Sequence, residues 1–487
     1  MHRAPHGLRR ARIPRPHPLP TPAAKDKTLN ATTLKPGLFD DSRERLDVLA
    51  SLSQRLLDAA RERGATQAEV TCSEDAGLSV SVRMGEVETV ESTRDRGIAV
   101  TVYFGTRKGS ASTADLRDES LEATVDQACA IARYTEDDPA AGLADAALMA
   151  RELREFDSWH PWAIDADRAI DIALACEQAG RDAEARVENS DGATVSTGRS
   201  VSVYANSHGF LGAERGTQHS LGCALIAGRG DGMQRDGWYT FGLAAEDLET
   251  PASVGRRAAE RAVARLSPRQ VRTGEYPVVF ASEVARSLVG HLLAAVSGGA
   301  LYRGASFLVD SVGTQLFPAW LSIHERPFLM RGLRSASFDA EGVATRESAL
   351  VEDGILRRYV LGSYSARKLG LQTTANAGGV HNLEVAANAG DLASLLASMG
   401  RGLLVTELMG HGANTTTGDY SRGAAGFWVE DGQVQYPVDG ITVAGNMRDM
   451  FRAIEAVGND IDPRSHIRVG SVLIGRMTVA GDATGGD

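Results

Sequence analysis

The chain has 487 residues, a formal net charge of −11, 43% apolar residues and 24% charged residues. This composition excludes overall disorder, and the acidic balance argues against general binding to nucleic acid or anionic membranes, which need a basic field. No uninterrupted apolar run reaches the roughly 18 residues of a membrane span, and at roughly 150 residues per domain the length predicts about three domains.

The first twenty residues hold five Arg, five Pro and three His, and no acid precedes Asp26. The apolar core of a secretory signal is missing. Pro14, Pro16, Pro18 and Pro20 prevent the amphipathic helix of a transit peptide. Residues 1–40 are therefore read as a disordered, basic, Pro-rich tail.

From Asp41 and Ser42, which can cap a helix, Leu46, Leu49, Leu52, Leu56, Leu57 and Ala60 form one apolar stripe, and Gly64 ends it. Alternation follows at Ala68, Val70 and Cys72, then at Leu78, Val80 and Val82, and again from Ile98 to Phe104. This pattern predicts a β-meander. A second helix starts at Asp115 or Asp118, with Leu121, Val125, Ala128 and Ile131 inward. Residues 41–135 thus read as an N-terminal helix–meander–helix domain.

Residues 136–270 read as a central domain: a helix at about 165–186, antiparallel strands over 193–245, and a helix at about 252–266. Residues 274–482 read as a mostly-β domain. In it, Tyr276 to Ala281 is a buried strand, and the following helix over 282–296 has Leu288, His291 and Leu292 on one face. The fold class expected for the whole chain is α+β.

Most local motifs fail. There is no P-loop and no G-x-S-x-G elbow. Gly228, Gly230 and Gly232 fit a hairpin turn, and Ser363 and Ser365 fit turn or helix-cap hydroxyls. His324-Glu325 opens like H-E-x-x-H, but Pro327 would break the helix and Phe328 takes the second His position. Cys72, Cys129, Cys176 and Cys223 show no C-x-x-C spacing and suit small buried hydrophobes of a reducing compartment. His291, His381 and His411 would be the candidates for an independent zinc site, although nothing in their spacing requires one.

The densest local signal runs from Thr406 to Trp428, a strand, a loop of Gly, Asn, Thr and Asp, and a second strand. The loop offers backbone donors, with Asp419 and Arg422 giving one charge of each sign. It suits either a peptide or partner surface, or a long hairpin whose Asn and Asp make their own turns.

This segment, TELMGHGANTTTGDYSRGAAGFWVEDGQVQYPVDGITVAGNMRDM, resembles the TldD/PmbA metallopeptidase family, on the side of its PmbA (TldE)-type subunit. FASEVARSLVGHLLAAVSGGALYRGASFLVDS, GSYSARKLGLQTTANAGGVHN and AVGNDID agree. The likeness is strong over about 275–480 and weaker, but in order, over about 41–270. It implies a cytoplasmic heterodimer with a TldD-like subunit, acting as a zinc metallopeptidase on unfolded or modified peptides. TldD-like chains carry His-Glu-x-x-x-His on a helix, with a later Cys completing the zinc site. In that motif the His residues bind the metal and Glu activates its water.

Here the motif is degenerate. The positions of the first His and the Glu hold Arg286 and Ser287, and only Gly290-His291 survives. The Cys region reads Gly470-Ser471-Val472-Leu473, and no Cys follows Cys223. A cationic guanidinium cannot ligate, and a serine hydroxyl is a poor general base. The resemblance therefore implies no catalytic residue and no metal in this chain, with zinc in the TldD-like partner. His381, Asn382, His411, Asn414, Asp419, Tyr420, Ser421 and Arg422 are the candidates for substrate or partner contact. The competing expectation is a non-proteolytic peptide-binding or regulatory protein acting on a toxin or topoisomerase partner.

Overall fold

The structure is a computed structural model and describes residues 42–481. The expected tail over 1–40 lies outside the described residues. Helix α1 (Ser42–Glu62) precedes strands β1 (Gln67–Arg83), β2 (Glu86–Phe104) and β3 (Arg107–Thr113), and α2 (Asp118–Tyr134) follows. Leu49, Leu52, Leu56, Leu57 and Ala60 of α1 pack with Leu121, Val125, Ala128 and Ala132 of α2 over β1 and β2. Ile131, expected inward, is exposed. The 3.6-residue period carries the buried face from Ala128 to Ala132 and turns Ile131 off it.

The same order recurs in α3 (Ala166–Ala183), β4 (Val187–Asn206), β5 (Leu211–Ala227), β6 (Gln234–Gly242) and α4 (Pro251–Ala264). Asp165 and Thr250 cap α3 and α4 by accepting from the Arg168 and Ser253 amides at 2.8 and 3.3 Å. The two helices cross closely. A Cβ on Gly255 would stand 2.1 Å from the Cys176 carbonyl oxygen, so only glycine fits. Gly228, Gly230 and Gly232 lie in the β5–β6 connection, as a hairpin requires. All six strands form one sheet in the order β3-β2-β1-β4-β5-β6, with β1 and β4 antiparallel at its centre.

The remaining chain is mostly β. It begins with β7 (Gly274–Phe280), α5 (Ser282–Ala295), α6 (Gly298–Tyr302), β8 (Ile323–Glu325), β9 (Ser348–Glu352) and β10 (Ile355–Leu356). Next come α7 (Ser363–Lys368), β11 (Leu383–Val385), α8 (Leu392–Met399), β12 (Gly402–Met409) and β13 (Asp419–Glu430). It ends with β14 (Gln433–Asn446), α9 (Met447–Arg452), β15 (Ile454–Val457), β16 (Ile467–Arg468) and β17 (Val472–Ala480). One sheet has the order β14-β13-β12-β7-β17-β15, the other β10-β9-β8-β11-β16. Helix α5 buries Ala285, Leu288, Leu292 and Ala295 in the core between them. No helix among the described residues is long and apolar enough to cross a membrane.

Candidate functional site

Strand alternation gives the first sheet two unlike faces. Leu78, Val80 and Val82 of β1, with Ala193 and Val195 of β4, pack under α3 and α4. The intervening Ser79 and Ser196 sit opposite each other, share a 3.0 Å hydrogen bond and line a cavity of about 700 Å³. Its floor also carries Asp75, Arg199, Glu214 and His219, and residues 153–156 with Leu333, Ser335, Ser337 and Phe338 contribute to its wall. His219 is not a free base. Its Nε2 donates to the His160 carbonyl at 2.9 Å, so its Nδ1 accepts from the Thr197 hydroxyl at 2.8 Å. Burial holds it below the usual imidazole range. Glu214 is exposed on the cavity floor, yet desolvation raises its carboxyl while His381 opposes the rise.

His381 and Asn382 lie just before β11 and are buried. Asn382 acts as a clamp: its amide donates to the Arg326 carbonyl at 3.1 Å and to Ser335 at 2.8 Å, and its carbonyl accepts from the Arg334 amide at 3.0 Å. His381 meets Glu325, which β8 places beside β11. The Glu325 carboxylate is 2% exposed and accepts from the His381 amide at 2.7 Å, from His381 Nδ1 at 2.8 Å and from Asn376 at 2.9 Å. Arg358 completes the network with an ion pair to Glu325. Burial alone would raise this carboxyl, but the His381 bonds and the Arg358 charge outweigh it and leave Glu325 below its ordinary range. Glu325 was absent from the sequence candidates. The only signal for it was the rejected His324-Glu325 pair.

The degenerate motif lies on α5. Arg286 reaches the Tyr239 hydroxyl at 3.4 Å and lies 4.0 Å from Asp462. Ser287 donates to its own helix, to the Val284 carbonyl at 2.7 Å. Ser471 donates to Asp460 at 2.6 Å and accepts from the Ser282 amide at 3.1 Å. His291 stacks edge-on against the buried Tyr420, with ring centroids 5.7 Å apart. His291 Nε2, the Tyr420 hydroxyl and Arg422 Nε are buried without a hydrogen-bond partner among the described residues. Burial and the Arg422 charge lower the His291 imidazole. Among the described residues no three His, Cys, Asp or Glu side chains are arranged to hold a metal ion. One imidazole beside a guanidinium and satisfied serines does not fit a catalytic zinc.

The Gly-rich loop between β12 and β13 builds its own turns. The Asn414 side-chain oxygen accepts from the Thr416 and Thr417 amides at 2.9 and 3.3 Å, and its backbone N–H donates to the Asp419 carbonyl at 2.8 Å. Asp419 accepts from Thr417 at 2.7 Å and from Asn446 at 3.3 Å. The Ser421 amide donates to the Gly412 carbonyl at 2.7 Å. His411, Asn414, Asp419 and Ser421 are exposed, whereas Tyr420 is buried against α5. The sequence candidates thus divide between the buried His381–Asn382 pair and this loop, and neither His381 nor Asn382 lines the cavity.

Three family models match in order: "PmbA/TldA metallopeptidase domain 1" over 68–132, the "central domain" over 159–266 and the "C-terminal domain" over 273–481. The chain is 50% identical over 414 residues to metalloprotease PmbA of Escherichia coli O157:H7, covering 85% of this chain and 92% of that protein. It is 46% identical to a PmbA homologue of Haemophilus influenzae, covering 88% and 94%. A Bacteroides thetaiotaomicron crystal structure, described as a candidate modulator of DNA gyrase, superposes with a TM-score of 0.84 at 26% identity, covering 88% and 98%. The fold is also that of TldE from Thermococcus kodakarensis, with a TM-score of 0.77 at 20% identity over 88% and 100% of the two chains. From sequence and fold together, the chain belongs to the PmbA/TldD metallopeptidase family and is of its PmbA type.

Proposed function

We propose that this chain is the non-catalytic subunit of a two-chain zinc metallopeptidase. It builds part of a chamber for unfolded or modified peptides, and a TldD-like partner supplies the zinc and its activating Glu. The observation that carries this reading is the state of the motif positions on α5: Arg286 is turned to Tyr239 and Asp462, and Ser287 is bonded to its own helix. The polar cavity of about 700 Å³ supports the chamber role, since extended peptides are held through hydrogen bonds. A TldD homologue of Buchnera aphidicola is 23% identical over 298 residues, so both kinds of chain occur in the family. Four free, buried cysteines suit a cytoplasmic setting.

The test is co-expression of this chain with a TldD-like chain from the same source. Zinc and cleavage of an unfolded peptide are expected only in the complex, with the metal in the partner. Chelator-sensitive hydrolysis by the purified chain alone overturns the non-catalytic role. Peptide binding without cleavage, and no complex, would favour a regulatory binding protein instead.

A further inference from the structure

On the cavity face of the first sheet, Gly77 and Gly198 pair directly across the β1–β4 seam, and Gly216 follows on β5 opposite Ser200. A glycine inside a strand weakens it, and marks a bulge, a tight packing contact or a place where a ligand comes close to the backbone. The fold itself accounts for little here. None of the three has a positive φ, and the β1–β4 and β4–β5 registers run unbroken through them. The nearest neighbours of a Cβ on Gly198 would belong to the exposed Gln218, at 3.4 Å and beyond. A Cβ on Gly216 would meet only the Ser200 hydroxyl, at 3.9 Å. Gly77 is tighter, with the Thr197 carbonyl oxygen at 3.1 Å. Neither packing nor backbone conformation therefore demands glycine at 198 and 216, and what the missing side chains leave open is the cavity floor.

Hydroxyls border this bare strip. Ser79 and Ser196, joined at 3.0 Å, lie one step beyond Gly77 and Gly198 on the same face, and Ser220 continues their row on β5. Asp75 and Ser200 stand on the other side. The two rows are roughly 13 Å apart along the strands, wide enough for an extended chain between them. Ser200, Ser220 and Gln218 line the cavity and are engaged with no other side chain or backbone group among the described residues. Both edges of β1 and of β4 are already paired, so the floor cannot take a peptide by strand addition. Its hydroxyls and the Gln218 amide can take one. A hydroxyl both donates and accepts, so it serves a main-chain N–H or C=O alike without reading the side chains. Charges of both signs line the cavity and select no single class of side chain.

We propose that the Gly77–Gly198–Gly216 strip and its bordering serines form a subsite that holds an extended peptide by its main chain, across the strands and irrespective of sequence. The proposal rests on the peptide-chamber reading and names its ligand class more closely: a segment whose backbone amides are free, as they are in an unfolded chain and not in a folded one.

The test is fluorescence anisotropy with three dye-labelled unstructured peptides: one of mixed sequence, its scrambled isomer, and the first sequence N-methylated at alternate backbone amides. Each is titrated against the isolated full-length chain and against the two-chain complex with hydrolysis blocked by chelation. The first two are expected to bind alike, and the N-methylated peptide about tenfold more weakly. Gly198→Val and Gly216→Val should melt at or above the wild-type midpoint, since a β-branched residue suits an open strand position. Each should nevertheless weaken binding of the unmethylated peptides about tenfold. Ser200→Ala removes one hydroxyl and should give a smaller loss in the same sense. Wild-type affinity in both Val variants overturns the subsite alone. So does a lowered melting midpoint in both, which would mark the glycines as structural. Undiminished binding of the N-methylated peptide overturns recognition through the main chain. No peptide binding by the wild type in either state overturns the chamber reading as well.

Discussion

His381 Nδ1 donates to Glu325 Oε1 at 2.8 Å inside a network that also takes in Asn376 and Arg358. A carboxylate only accepts, so Nδ1 carries the proton and Nε2 is left for other work. Two residues 56 positions apart are thus coupled in a buried site.

Breaking that coupling is costly. Glu325→Ala leaves Arg358, with a side chain 12% exposed, as an uncompensated buried charge. Such losses run to about 3–5 kcal/mol. A thermal melt of Glu325→Ala should show a large fall in midpoint, and Glu325→Gln a smaller one.

Glu325 also sets an acid limit. Its folded carboxyl lies below the unfolded value of about 4.3. Its contribution is therefore complete above that value and is lost as pH falls through the lower folded one. Between pH 5 and pH 3 the wild type should lose stability more steeply than Glu325→Gln.

His466 acts at milder pH. Its imidazole is pushed down to about 4, against about 6.5 unfolded. The unfolded chain then takes up the proton first, and stability falls as pH drops from about 6.5 toward 4. Asp339, raised to about 6 by burial, works in the opposite sense over much of this range. The measurement is thus a difference: His466→Asn should flatten the fall relative to wild type in chemical denaturation across that window.

His291 is the surviving motif residue, with an unpartnered buried Nε2. His291→Phe keeps a ring against Tyr420 and removes the orphan atom. Its stability should match or exceed the wild type by up to about 1 kcal/mol. The isolated wild-type chain should retain less than about a tenth of an equivalent of zinc, since a closed site keeps its metal through purification. A full equivalent that disappears in His291→Phe would contradict the motif reading.

Two glycines should respond in opposite directions. A Cβ on Gly290 in α5 meets nothing within 4 Å, so Gly290→Ala should stabilise by up to about 1 kcal/mol. A Cβ on Gly412 would stand 1.5 Å from the Ser421 carbonyl oxygen. Gly412→Ala should therefore open the loop and speed its proteolysis.

The elements legible in the sequence are those with a strong period. The strand ending at Phe280 and the helix from Ser282 follow from apolar spacing alone. Helix α8 was hidden among β-type segments because eight residues give barely two turns of pattern. Glu325 was hidden for a different reason. Its partners Arg358, Asn376 and His381 lie 33, 51 and 56 residues away, and pairing at that distance leaves no local trace. The Gly-rich loop stood out by composition, yet Tyr420 within it faces inward to His291, which only the β13 pairing reveals.

The sheet order β3-β2-β1-β4-β5-β6 has a consequence for how the chain can be cut. Read outward from the β1–β4 seam, each half presents its first, second and third strand, and each half is helix, three strands, helix. The arrangement is a pseudo-twofold dimer within one polypeptide, the form that duplication and fusion of a single unit would leave. Each half hides the other's innermost edge, from Glu69–Asn206 to Val82–Ala193. A fragment that begins at α3 would bare β4 along that length, and a long open edge invites intermolecular pairing. The two halves therefore serve as each other's guard against aggregation, and neither is a natural unit of expression.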